Sequence, residues 1–210
     1  MRPLISWQWL LLIMAVIGVG LLWWPRPEKK PAERPISCEQ ESLYVRALER
    51  DRLMKDSLFR VLTTSPIPEE KRAEFRGLEY YEIRSGWCLR GRYEALPNAV
   101  LPVIGRLYLA LATLDSCRPP AVLTVYGDAH GQNPYVAFWD STAVVGETYE
   151  GGRYVPVFIE GDSAVIDFNR AYFPYCAYNP NYICLPYPPN NRFCGYIRAG
   201  ERYGSQAPHP

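Results

Sequence analysis

Between Leu43 and Leu62 apolar side chains return at helical spacing. Leu43, Ala47, Met54, Leu58 and Leu62 form one stripe, with Tyr44, Leu48 and Phe59 beside it. Glu49, Arg50, Asp51, Arg52, Lys55 and Asp56 fall mostly between. Apolar residues three and four apart share a helix face, so the pattern predicts an amphipathic helix over about Cys38–Leu62. Ser37, with Gln40 three residues on, makes a weak capping box at its start. Such a stripe marks a face docked on the domain's own core; its other use is to bind a partner. Pro68, then two acids, then Gly77 predict a second, short helix.

From Leu78 onward the period changes to two. The runs LEYYEI, CLRGRYEAL, RLYLALATL, AVLTVYGD, YVAFWD, RYVPVFIE and SAVIDF are short and rich in β-branched and aromatic residues, with Gly, Pro, Asn and Asp between them. GDAHGQN (127–133) and the glycine of IEGDSAV (159–165) read as hairpin turns. Short strands at this spacing predict an antiparallel sheet curled into a sandwich or partial barrel. The fold class expected is α+β, mainly antiparallel β, with an N-terminal transmembrane helix and an amphipathic helical arm.

That transmembrane helix is read from Leu4–Trp24, a run without one charge. At about 1.5 Å per residue it spans roughly 30 Å, a bilayer's hydrocarbon thickness. Trp7, Trp9, Trp23 and Trp24 flank it as an aromatic belt does. No small-residue cleavage site follows, which favours an uncleaved anchor over a signal peptide. PRPEKKPAERP (25–35) is a proline-rich, charged spacer. The domain plan is thus anchor 1–24, linker 25–36, helical arm 37–77, β-rich domain 78–204 and tail 205–210.

Charge and composition narrow the chemistry. The net charge of +1 supplies no field for nucleic acid. The two histidines, His130 and His209, argue against a zinc enzyme or a histidine-dependent triad, so no metal and no cofactor are expected. No phosphate-loop or nucleophile-elbow motif is present. The six cysteines are even in number and show no CxxC; fifteen pairings are open to them.

One constellation carries candidate chemistry. In SAVIDFNR, Val165, Asp167 and Asn169 share a face opposite Ala164, Ile166 and Phe168. In YVAFWDST, Phe138, Asp140 and Thr142 share a face. If the strands neighbour one another, Asp140 and Asp167 approach, with Glu147, Arg153 and Arg170 nearby. Paired carboxylates with split pKa values serve acid–base catalysis, and arginines clamp anions. The same residue types also fix strand ends through side-chain to backbone bonds.

FWDSTAVVGETYEGGRYV, VIDFNRAYFPYCAYNPNYIC and IRAGER resemble the motifs of the DUF1684 family of bacterial and archaeal proteins. SPIPEEKRAEFRGLEYYEI resembles its upstream part in a compact form, so the resemblance covers about Arg46–Tyr203. The matching positions are Asp140, Thr142, Glu147, Thr148, Tyr149, Gly152, Arg153, Asp167, Asn169, Arg170, Tyr172, Cys176, Cys184, Asn191 and Arg192. Two departures stand out. The stretch from Asp140 to Glu147 is one residue longer than the family pattern, and Asn190 and Leu185 replace an acid and a proline. The resemblance implies a mainly β domain, in many members exported. The two motif cysteines, Cys176 and Cys184, enclose a short Tyr–Asn–Pro loop and are expected to form a disulfide. Basic residues after the anchor (Arg26, Lys29, Lys30, Arg34) argue for a cytoplasmic domain. Cysteine parity and the resemblance argue for the opposite side.

The combined expectation is a single-pass inner-membrane protein with its domain in the periplasm or another extracytoplasmic space. It acts there as a non-enzymatic binding or accessory domain, a subunit of a larger membrane-protein complex. The alternative is a carboxylate-dependent hydrolase or small-ligand-binding enzyme built on Asp140, Glu147 and Asp167. The candidate ligand or structural set is Asp140, Thr142, Glu147, Arg153, Asp167, Asn169, Arg170 and Asn191. The discriminator is geometric: an enzyme needs the carboxylates to converge in an open pocket.

Overall fold

The computed structural model describes Cys38, residues 41–109 and residues 122–204. Helix α1 (Glu41–Val61) is followed by β1 (Glu79–Tyr80), β2 (Cys88–Ala95), β3 (Val103–Leu109), β4 (Val122–Tyr126), β5 (Tyr135–Phe138), β6 (Arg153–Glu160), β7 (Ser163–Asp167) and β8 (Glu201–Arg202). Strands β2 to β7 form a closed barrel in sequence order, every pair antiparallel, with β7 returning to β2. The expected sandwich or partial barrel is therefore corrected to full closure, which leaves these strands no free edge. The membrane helix expected over Leu4–Trp24 lies outside the described residues. Among the described residues no helix is long and apolar enough to cross a membrane, so the fold class is corrected to a β-barrel with one helical arm. Helix and barrel belong to one compact unit, Ile36–Pro210.

Period-two alternation builds the core. On β6, Arg153, Val155 and Val157 point inward while Tyr154, Pro156 and Phe158 do not. Leu107, Leu123, Val125, Val136, Ala164 and Ile166 fill the interior with them, as side chains must in so narrow a barrel. Phe138, Phe168 and Phe193 close one end edge-to-face, their centroids 5.2–5.9 Å apart. The β6–β7 hairpin turns at Gly161–Asp162, with Glu160 opposite Ser163 and Gly161 at φ +63°.

Strands β4 and β5 meet in register at Tyr126 opposite Tyr135. Where the ladder stops, the buried Asn191 takes its place. Its Oδ1 accepts from Thr124 N at 2.8 Å, and its Nδ2 donates to Thr124 O at 2.9 Å and Ala137 O at 2.8 Å. One side-chain amide thus joins both strands, as a short length of backbone would.

The helix docks through Ala47 and the residues beside the expected stripe, and turns the rest of the stripe outward. Tyr44, Ala47, Leu48 and Phe59 are buried. Leu43, Met54, Leu58 and Leu62 are 42–54% exposed. The docked face carries polar anchors that find partners on the barrel, an energy that hydrophobic periodicity does not weigh. The short helix expected after Pro68 is a single 3₁₀ turn, Glu69–Lys71.

Candidate functional site

Three buried polar clusters, a partly exposed one at Glu147, and a cavity beside one of them hold most of the chemistry-bearing residues. The first lies where β5 ends. Arg153 is 1% exposed and Asp140 2%. Arg153 NH2 donates to Asp140 Oδ1 at 2.8 Å and to Ile197 O at 2.7 Å, and NH1 to Ala199 O at 2.6 Å and Glu201 O at 3.2 Å. Asp140 Oδ2 accepts from Thr142 Oγ1 and Ile197 N, both at 2.8 Å. The hydroxyls of Thr142 and Thr148 share a further bond at 2.7 Å. The cluster fastens the chain 197–201 across the barrel end. Gly152, at φ +90°, sets up Arg153; a Cβ there would collide with the Phe138 carbonyl.

The second cluster holds the helix. Asp167 Oδ1 accepts from Tyr44 OH at 2.9 Å and from Asn169 N and Nδ2 at 3.0 Å. Asn169 Nδ2 also donates to Tyr44 OH and Arg84 O, both at 2.8 Å. Arg170 reaches Asp51 at 2.8 Å and Asp167 at 3.4 Å. Burial pushes the Asp167 carboxyl up, against the Tyr44 and Asn169 bonds that pull it down. Burial and the adjoining Asp167 raise Tyr44. A disulfide from Cys38 to Cys88, at the start of β2, ties the segment before the helix to the barrel.

Glu147 adjoins the first cluster through its N–H bond to Thr142 O at 2.9 Å, but its carboxylate shares no hydrogen bond with either. It accepts a fork from Arg198 at 2.8 and 2.9 Å and the Tyr81 hydroxyl at 2.7 Å. The Arg198 bonds hold its carboxyl down at about 2. Asp140, Glu147 and Asp167 therefore sit in three networks. The expected approach of Asp140 to Asp167 is corrected: β5 and β7 do not neighbour, because β6 runs between them. The expected Cys176–Cys184 disulfide is formed, and Cys194 is disulfide-bonded too.

Glu201 was not singled out by the sequence, though it lies in IRAGER. It is 1% exposed. Lys55 pairs with it, Phe173 N donates to it at 2.7 Å, and Tyr178 OH at 2.6 Å. The Lys55 ammonium also stands over the Tyr172 and Phe59 rings at 4.8 and 5.0 Å. Gly200, at φ +74°, turns the chain so that Glu201 points inward. A carboxylate docked by a helical lysine has no period-based signal, because the two residues lie 146 positions apart.

Beside Glu201 lies a cavity of about 660 Å³ between α1, residues 67–79, residues 173–178 and the β8 segment. Among the described residues no group of three His, Cys, Asp or Glu side chains is placed to hold a metal ion.

The family described as "Protein of unknown function (DUF1684)" matches residues 73–202. The solution structure of an uncharacterized protein from Haloarcula marismortui is similar, with 26% identity and a TM-score of 0.60. The match covers 81% of this chain and 100% of that one. No curated protein matches the chain.

Proposed function

We propose that this chain, which belongs to the DUF1684 family, is a binding or accessory domain rather than a hydrolase. It works outside the cytoplasm within a larger assembly. The carrying observation is that Asp140, Glu147 and Asp167 do not converge. Each is occupied by donors of its own network, and Asp140 and Asp167 are buried. A general acid or base must reach a substrate proton. The disulfides Cys38–Cys88 and Cys176–Cys184 support an oxidising compartment.

The outward face of α1 supports the partner half of the reading. Leu53, Met54, Leu58, Val61 and Leu62 are exposed along it, beyond what scattered surface residues account for. Native co-purification of the tagged full-length chain tests the reading. A stoichiometric partner should be retained, and Met54→Glu/Leu58→Glu should lose it without altering the melting temperature. A chain that purifies alone contradicts the reading. So does hydrolysis of esters or phosphoesters that Asp140→Asn or Asp167→Asn abolishes.

A further inference from the structure

The cavity beside Glu201 lies in the usual size range of small-molecule sites. Phe75, Phe173, Tyr178 and Tyr203 give it aromatic walls, and Ile67 and Leu78 add apolar surface. Two carboxylates, Asp56 and Glu201, stand in the same wall. They are not equivalent. Glu201 is saturated by Lys55, Phe173 N and Tyr178 OH. Asp56 uses Oδ1 to accept from Leu78 N at 3.0 Å and is in no ion pair among the described residues. Its Oδ2 faces Gly77, where an added Cβ would sit 2.9 Å away. Glycine at that position, at φ +123°, keeps a side chain off that oxygen.

We propose that this cavity binds a compact organic cation, a protonated amine on an aromatic or aliphatic body, with Asp56 as its counter-charge. The proposal rests on the binding reading above and names the ligand class. The aromatic faces attract a cation, and their area takes up its apolar body. Exposed charges of both signs also line the cavity: Lys71, Arg76 and Arg202 against Glu74 and Glu79. All five are exposed, so solvent and salt screen them. Lys55 balances Glu201, so Asp56 decides the sign inside. An anion would meet that carboxylate. Burial raises the Asp56 carboxyl, against the Leu78 bond and the more distant Arg60 and Lys55 charges that pull it down. Gly77 and Asp56 are far apart in sequence, yet the fold brings them face to face on the cavity wall.

The amine could come from a free small molecule or from a lysine side chain of a partner. Titration of the full-length chain, followed by calorimetry and by the amide signals of Gly77 and Leu78, separates the cases. The probes are tyramine, neutral 4-propylphenol, anionic 3-(4-hydroxyphenyl)propanoate and acetyl-Gly-Lys-Gly-amide. A cationic probe should bind at least tenfold more tightly than the neutral or anionic one and shift both amides. Asp56→Asn keeps an acceptor for Leu78 N–H. It should abolish that tenfold preference and leave the neutral probe unchanged. Preference for tyramine assigns a small molecule, and preference for the peptide assigns a partner's lysine; both support the proposal. It is overturned by equal or stronger binding of the neutral or anionic probe. No amide shift with either cation at millimolar concentration also overturns it. If that happens while the chain still retains its partner, the ligand assignment fails alone and the accessory reading stands.

Discussion

Replacing Arg153 by methionine keeps much of the side-chain volume and removes the guanidinium. The change leaves Asp140, 2% exposed, without its cation, and strips donors from the carbonyls of Ile197, Ala199 and Glu201. Breaking one side of a buried pair costs about 3–5 kcal/mol, because the remaining charge stays out of water. A domain has only about 5–15 kcal/mol in all. At roughly 2–4 °C per kcal/mol for a chain of this size, the melting temperature should fall by about 6–20 °C. Urea unfolding with disulfides intact, followed by tryptophan fluorescence, measures the free energy directly. Asp140→Leu/Arg153→Met should recover part of the loss, since no uncompensated charge remains. Recovery should be incomplete, because the Ala199 and Glu201 carbonyls still lack the Arg153 donor. Arg153→Met within about 1 kcal/mol of the parent would refute the assignment of this pair as the brace of the barrel end.

Two further outcomes follow from named bonds. Asn191→Ala removes the amide that joins β4 to β5 and should cost about 2–4 kcal/mol, with faster hydrogen exchange at Thr124 N–H than at neighbouring β3–β4 amides. The Glu147 carboxyl is depressed from 4.5 to about 2, so its contribution is present above about pH 4.5 and fades as pH falls toward 2. The gap in melting temperature between parent and Glu147→Gln should therefore be full at pH 6 and shrink progressively by pH 2.5.

The strands were legible because their alternation is strong: Val155 and Val157 against Tyr154 and Phe158 announces β6. Closure was not legible, since it depends on β7 meeting β2 across more than seventy residues, Cys88 opposite Asp167. The motif residues Asp140, Arg153, Asp167, Asn169 and Asn191 were legible as a set. Their partition into separate networks was not, because strand order decides it. The helix shows the clearest divergence. Periodicity selects Leu43, Ala47, Met54, Leu58 and Leu62; Ala47 is buried, but Tyr44 bonds Asp167 and Lys55 pairs with Glu201, and those anchors turn the other four outward. Glu201 and the cavity wall arise from contacts distant in sequence and left no local pattern.

The central claim is that the family's motif carboxylates hold the molecule together rather than act on a substrate. Thermal melting of Asp167→Ala and Arg170→Ala against the parent tests it most directly. Asp167→Ala leaves Tyr44 OH, Asn169 N–H and the Arg170 guanidinium short of an acceptor. That should cost about 3 kcal/mol, or roughly 6–12 °C. Arg170→Ala, which loses Asp51 as well as Asp167, should fall in the same direction by less, because the side chain is partly solvated. Unchanged or raised melting temperatures in both variants would contradict the account, since strained functional residues, unlike structural ones, can be removed at no loss of stability.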